Sequence, residues 1–445
     1  MSQQESNASV QARAAVVSTV QSFLTEVTQT WQTPHFSDFV RKVMETYATR
    51  IVIMGVGLIT TVVVARVLGP EARGVYGVAV ATGALGVQFG NLGLHTANVY
   101  LAARDPSCLP SLTGNSLAVS FGFGGLLAVL LAGVFTIFPN LISLHGSVLM
   151  LALSWIPFGL AYLLMQNLLL GIHDVRGYNL LELVNKVLPL ILIAGLAIVG
   201  RGSVTKFFAA GFAALAISCL WMWRRLRGVF TRALSVSIPL FRGSINYAAK
   251  AYLAAFLAFL VLRADLFMVA QMLGVEQAGY YSIASSMADY VSVLAAIVGA
   301  ILFPRLSAMT EIGAKLRLTY KAVWGTAGLL LPILVMSSLL ARPAVRLLFG
   351  AAFLPTSAAF VLLMPGMLFL GMNTVAVQFL NSIGYPKSVV IIWGFCTVFN
   401  IALNLWAIPH YGIMGASIVS SISYFLAFFF ILQVIRQVGQ SALAP

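Results

Sequence analysis

Residues 68–79 read LGPEARGVYGVA, and residues 273–284 read LGVEQAGYYSIA. A shift of 205 residues superposes the two phrases. Ala65, Leu68, Gly69, Glu71, Gly74, Tyr76 and Ala79 then match Ala270, Leu273, Gly274, Glu276, Gly279, Tyr281 and Ala284. Each copy has the makings of a tight turn between two helices. Gly69 and Gly274 suit a left-handed helix end, and Glu71 and Glu276 suit the positive start of the helix that follows. A phrase repeated at this distance divides the chain into two halves of like construction.

What surrounds the copies is apolar. Of the 445 residues 60% are hydrophobic and 9% charged, and the mean hydropathy is +0.96. Soluble domains carry about 25% charged residues, so too few are present here to cover a water-facing surface. Apolar runs of roughly 20 residues cross a bilayer as helices, whereas barrel strands would give alternating segments of about ten. The composition therefore specifies an all-α, polytopic integral membrane protein. Cys108, Cys219 and Cys396 show no CxxC spacing, and the five histidines form no HExxH-like pair, so neither a disulfide framework nor a metal site is expected. The first forty residues are polar, which argues against a cleavable signal peptide. "GFGGLL" at 122–127 reads as small-residue helix packing and not as a nucleotide loop.

Twelve transmembrane helices are predicted, at about 46–67, 75–103, 114–138, 148–170, 178–199 and 204–223, then 245–272, 279–304, 322–341, 356–382, 388–408 and 412–435. Longer connections fall near 224–244 and 305–321. Sixteen lysines and arginines lie in segments on the amino-terminal side, against five, Arg73 among them, in loops on the other. That bias places both termini in the cytoplasm, and it makes the net charge of +14 mainly a topology signal, not one for nucleic acid. Six spans separate the two copies, so both enter the membrane the same way up. They are parallel repeats, which implies two six-helix lobes around a central cleft. The expected domains are a polar, amphipathic segment (1–44), an N-lobe (45–223), a basic linker (224–244), a C-lobe (245–436) and a tail (437–445). Within the first of these, Val16, Val20, Phe23, Val27 and Trp31 share one helical stripe.

Pro157 and Pro365 sit mid-span in the fourth helix of each half, offset by 208 residues. Proline removes a helical hydrogen bond, and matched interruptions in two halves are a pointer to gating. Tolerance of proline in lipid-buried helices is the plainer explanation.

Several stretches together resemble the multidrug/oligosaccharidyl-lipid/polysaccharide exporter superfamily, and within it the polysaccharide-unit (O-antigen-type) flippases. The carriers are "ARVLGPEARGVYGVAVA", "FGNLGLHTANVYLA", "RADLFMVAQMLGVEQAGYYSIA", "LFPRLSAM", "LLFGAAFLPTSAAFVLL" and "NIALNLWAIPHYGIMGASIVSSISY". The resemblance covers about residues 41–436. It implies a two-lobed fold that moves a lipid-linked saccharide across the inner membrane of a bacterium, and Asp265 matches an acidic position common in the family's seventh helices. Two features depart from the pattern: the long polar start, and Tyr100 where many relatives carry a basic residue.

Charges inside the membrane need a reason, since each costs about 2.5–3.5 kcal/mol at the bilayer centre. Arg50 and Lys250 each lie near the cytoplasmic end of the first helix of a lobe. Either they snorkel to the headgroups or they draw a phosphate-bearing headgroup into the cleft. Arg263 lies ten residues before Leu273, roughly 15 Å from the far end of its helix. It either pairs with Asp289, at comparable depth in the next span, or faces the substrate. Glu182 and Lys186, spaced i,i+4, form a self-neutralised couple or else a coupling acid and a phosphate ligand. His95 and Asn91 make the second helix polar enough for sugar hydroxyls, although such residues more often join helices.

The candidate substrate-binding set is therefore Arg50, Lys186, Lys250, Arg263, His95 and Asn91. The candidate ion-coupling acids are Glu182, Asp265 and Asp289, and the gating prolines are Pro157 and Pro365. The function expected is translocation of a polyprenyl-diphosphate-linked glycan precursor by alternating access, without enzymatic chemistry or a cofactor, driven by a proton or sodium gradient. Expected partners are the lipid-linked saccharide, membrane lipids and a polysaccharide polymerase or export apparatus, with no nucleic acid. A multidrug or small-cation exporter would want an acidic cavity. A membrane glycosyltransferase or polymerase would want catalytic acids on large outer loops, and the loops here are short.

Overall fold

A computed structural model describes residues 34–443 apart from 231, 385 and 386, with side chains from Thr49 to Ser441. The amphipathic stripe from Val16 to Trp31 lies outside the described residues. Everything regular among the described residues is helical.

The helix over Pro34–Gly90 breaks at Gly69 into α1 (34–68) and α2 (70–90). After a break at 91–93 the second span continues as α3, Leu94–Arg104. The third span is α4, Leu109–Leu117, a wide π-type turn over Ala118–Phe123, and α5, Gly124–Ile137. Then come α6 (Gly146–Gly171), α7 (Val175–Ile198) and α8 (Val204–Arg227). The second half holds α9 (Ile238–Leu273), α10 (Val275–Ala308), α11 (Ile312–Leu339), a short α12 (Ala341–Leu348) and α13 (Thr356–Ser382). Lys387–Leu443 breaks at Gly412 into α14 (387–411) and α15 (413–443). Among the described residues ten helices are long and apolar enough to cross a membrane. Two of them fold back at Gly69 and Gly412, which brings the passes to twelve.

Both repeat glycines take positive φ, but their ψ is extended: 74° and 177° at Gly69, 92° and 168° at Gly274. This is not the left-handed helical conformation the turns suggested. It is a region essentially reserved to glycine, and it lets the chain reverse in one residue. Glu276 stands in the first turn of α10, as expected, and accepts from the Tyr280 hydroxyl at 2.7 Å.

Two expected loops are largely helix. α9 starts at Ile238, and α10 and α11 run to Ala308 and from Ile312. At 1.5 Å per residue, α9 and α10 are each roughly 50 Å long and project beyond a hydrocarbon core of about 30 Å. The added stretch of α9 holds Pro239, Arg242 and Gly243, and that of α10 holds Arg305, so the apolar pattern from which a span is read stops short of both ends.

Within the first half, α2 lies close on α6. A Cβ at Gly83, Gly86 or Gly90 would collide with Trp155, Ile156 or Leu160. Small residues at helical spacing allow this approach where lipid offers no hydrophobic drive. In the second half α13 fits α15 in the same way, with Gly366 against Ser421.

Candidate transport site

The two halves meet along two seams. In the first, α1 and α2 face α10, and the duplicated turns touch each other. A Cβ at Gly74 would stand 1.7 Å from the Val275 carbonyl oxygen, and one at Gly279 would stand 2.0 Å from that of Pro70. The glycine common to both copies is therefore the point of contact between them. Near the turns, Arg66 donates from Nε to the Leu348 carbonyl at 2.7 Å and from Nη2 to that of Leu347. An arginine of the N-lobe thus caps the last carbonyls of α12 in the C-lobe, where a cation is favoured. Deeper in this seam, a Cβ at Gly57 would lie 3.2 Å from the Tyr290 hydroxyl. Further toward the interlobe linker a Cβ at Gly55 would meet nothing, and Ile51 and Val52 are exposed, as are Ile301 and Phe303 on α10. The cleft between α1 and α10 is thus shut at the end bearing the turns and open at the linker end.

The second seam, α3 against α9, is joined along its length. Tyr252 donates to the Phe89 carbonyl at 2.7 Å, and Tyr100 stacks on Tyr247 with ring centres 4.6 Å apart. Asn115 exchanges two hydrogen bonds with the Ser237 backbone, at 3.0 and 2.9 Å. At the turn end, Gln271 donates to the Asn140 carbonyl at 3.1 Å. Tyr100, the residue that departs from the family's basic position, is used here as an interlobe stacking surface.

The break in the second span lies on this seam. Leu92 and Gly93 have φ of 51° and 79°. A Cβ at Gly93 would strike Ala248 and Tyr252 on α9, at 2.7 and 2.9 Å. Non-helical backbone at membrane depth is tolerated only inside protein or beside a water-filled cavity. Asn91 is fully buried there. Its Oδ1 accepts from the His95 backbone at 3.3 Å and meets the His95 ring Nδ1 at 2.8 Å. His95 Nε2 in turn meets the Thr96 hydroxyl at 3.1 Å. Asn91 and His95 thus brace an interrupted helix, and the second half has unbroken α10 at the equivalent stretch, 295–298. The predicted 75–103 span missed this break, although the sequence Gly-Asn-Leu-Gly at 90–93 carried its signal.

The intramembrane charges fall into three groups. Arg50 pairs with Glu182 at 3.3 Å, joining α1 to α7. The expected Glu182–Lys186 couple is therefore corrected: tertiary packing gives Glu182 a different cation, and Lys186 is left exposed one turn along α7. Lys250 is likewise exposed, and neither lysine has a carboxylate within ion-pair distance among the described residues. Arg263 and Asp289 form a 2.6 Å ion pair, so the first of the two readings offered for Arg263 holds. Asp265 is 2% exposed and fully occupied. It accepts from Tyr281 at 2.5 Å, from Ser420 at 2.8 Å and from the Leu266 backbone at 2.8 Å.

Pro157 and Pro365 lie inside helices without a non-helical residue, α6 and α13. The interruptions that the backbone displays are at Gly69, 91–93, 118–123 and Gly412 instead. Arg73, counted among outside loop residues in the sequence, is in fact buried between the lobes at 6% exposure.

The chain is thus an all-helical, two-lobed membrane protein with a cleft between its halves. Two solved structures share the fold. One is an inward-facing multidrug resistance MATE family transporter of the MOP superfamily, at TM-score 0.71 and 15% identity over 90% of this chain and 98% of that one. The other is the lipid II flippase MurJ in an inward closed conformation, at TM-score 0.68 and 16% identity over 88% and 87%. An uncharacterized membrane protein of Methanocaldococcus jannaschii is 30% identical over 156 residues, which spans 34% of this chain and 31% of that protein. The chain belongs to the polysaccharide biosynthesis protein family, whose model matches residues 63–358.

Proposed function

We propose that this protein is a flippase that carries a polyprenyl-diphosphate-linked oligosaccharide or polysaccharide precursor across the bacterial inner membrane by alternating access. Both termini are cytoplasmic, so the cleft as described is open to the cytoplasm and shut outside. The headgroup occupies the cleft while the lipid tail stays in the bilayer between α1 and α10. The protein catalyses no bond change.

The observation that carries this reading is the surplus of positive charge in the lobes. Arg50 and Arg263 have carboxylate partners, but Lys186 and Lys250 have none among the described residues. Exposed cations without a carboxylate partner favour an anionic cargo, because their field attracts negative charge at long range. Membership of a polysaccharide biosynthesis family supports a glycan on that anion. Lys186 and Lys250 are assigned to the diphosphate, with Arg50 released to it from Glu182 and Arg263 from Asp289 as the lobes move. His95, half-buried at the break in the second span, is assigned to the sugar, with Asn91 orienting its ring. Asp265, Glu182 and Asp289 are the acids through which a proton or sodium gradient would act, and Pro157 and Pro365 bend as the lobes rock. A polysaccharide polymerase or export apparatus takes the product outside.

The alternative, export of a drug or small cation, would want an acidic cavity, whereas Lys186 and Lys250 carry positive charge with no carboxylate within ion-pair distance among the described residues. Deleting the gene tests the reading. Lipid-diphosphate-linked glycan should accumulate on the cytoplasmic leaflet, and normal export with no trapped intermediate would refute it. Uptake of cationic dyes into vesicles would favour the alternative.

A further inference from the structure

We propose that Arg73 is a transit site for the anionic end of the cargo, a guanidinium stationed on the exit path that takes phosphate oxygens as the lobes part. This rests on the flippase reading above.

Arg73 stands in the first turn of α2, four residues past Gly69 and close to the aqueous face. Arginines in such places ordinarily reach for water. Here the side chain runs the other way. Its Nη1 lies 3.1 Å from where a Cβ of Gly77 would be, one turn deeper, and its guanidinium carbon is 5.6 Å from the centre of the Tyr76 ring. Ser282 of the other lobe lines the same spot, its hydroxyl 3.2 Å from that position. The charge is buried, and among the described residues Nε has no hydrogen-bond partner and no carboxylate lies within ion-pair distance.

Two interlobe contacts bracket it. Gly74 and Gly279 close the seam on the outer side, and Gly57 against Tyr290 closes it on the inner side. A headgroup leaving between α1 and α10 has to part both, and Arg73 is the charged group between them.

The Tyr76 ring offsets part of the charge, but no carboxylate among the described residues matches it. In the second half the equivalent of Arg73 is Ala278, fully buried, and the equivalent of Gly77 is Ser282. One lobe therefore spends an arginine and a glycine where the other uses two small residues, and the missing side chain at position 77 makes the room. An unpaired buried charge is costly. Parting the lobes carries Ser282 and Tyr290 away and leaves a guanidinium fork on α2 that matches phosphate geometry.

The test is transport of a fluorescent polyprenyl diphosphate by the full chain in proteoliposomes, with rate and half-saturation both measured. Arg73→Gln should lower the maximal rate about tenfold or more, the worth of one charge-assisted hydrogen bond, and leave half-saturation unchanged. Arg73→Lys should keep much of the rate, and the uncharged Arg73→Met should not. Inorganic pyrophosphate, added as competitor, separates recognition of the phosphates from recognition of the lipid: it should slow wild type, and it should slow Arg73→Gln proportionately less, because the transit site is gone while the lysines of the cleft remain. A wild-type rate in Arg73→Gln, or rescue by Met as good as by Lys, overturns the proposal and leaves the flippase reading standing. A wild-type protein that moves no diphosphate lipid overturns both.

Discussion

Arg263 shows how much a residue's role depends on its neighbour. Depth alone left it either a substrate ligand or half of an ion pair, and the 2.6 Å contact with Asp289 makes it the latter at rest. Removing one member leaves the other uncompensated, which is the costly way to break such a pair. Asp289→Ala and Arg263→Ala should each lower thermal stability, and the double variant should recover part of the loss, with a coupling of about 1–3 kcal/mol. Unfolding in detergent measures this, and strict additivity of the two single variants would contradict it. Asp174 offers a pH test. It caps α7 through the Gly177 amide at 3.0 Å and takes two bonds from Arg225, at 2.5 and 3.0 Å. The Arg225 guanidinium holds its carboxyl below the usual carboxylate range. A depressed carboxylate stabilises the fold above its unfolded pKa, and that contribution is lost as pH falls through the lower folded value. Wild type should therefore lose stability relative to Asp174→Asn as the pH drops below about 4, and parallel acid-unfolding curves for the two would dismiss the effect.

At the scale of elements, the repeat turns and the broken second span do the positioning. Gly69 and Gly274 supply a reversal that side chains resist, while Gly74 and Gly279 supply contact without side-chain bulk. Gly74→Ala puts a methyl group into the Val275 carbonyl. We expect the turns to separate. Spin labels on Glu71 and Glu276 should report a longer mean distance, with a stability loss of about 1–3 kcal/mol. An unchanged distance distribution would mean that the turns are not the seal. The break at 91–93 was legible only in part. Gly-Asn-Leu-Gly is turn-forming, but hydropathy alone carries a helix straight through it. The π-type turn at 118–123 left no sequence signal that we can identify, because Gly122, Phe123 and Gly124 suit an ordinary lipid-facing helix equally well. The lengthening of α9 and α10 was missed because Pro239, Arg242, Gly243 and Arg305 interrupt the apolar pattern from which a span is read.

At the scale of the molecule, a duplicated chain has built an unequal pair of lobes. Position 60 is threonine where position 265 is aspartate, so the buried acid with its Tyr281 and Ser420 donors exists only in the C-lobe. Tyr76, the partner of Tyr281 in the repeat, instead faces the Arg73 guanidinium. The closed seam is held partly by Arg66 on the carbonyls of α12. Arg66→Gln removes that cap, worth about 0.3–1 kcal/mol at an exposed helix end. It should shift the lobes toward the state open at the turns, and the same pair of spin labels would show a larger long-distance fraction. No shift would assign the seal wholly to the glycine contact.

Composition and the 205-residue repeat determined, without coordinates, that this is a helical membrane protein of two like-oriented halves. Those properties are sums over many residues, or identities between distant ones, and no single contact can reverse them. Only the tertiary structure decided which charges meet. Glu182 turned from Lys186 to Arg50, Arg263 found Asp289, and Arg73 moved from a loop tally to the seam between the lobes. Pairing depends on distances of a few ångströms between helices far apart in the chain. Helical periodicity fixes the face a residue lies on, and packing alone fixes what stands opposite it.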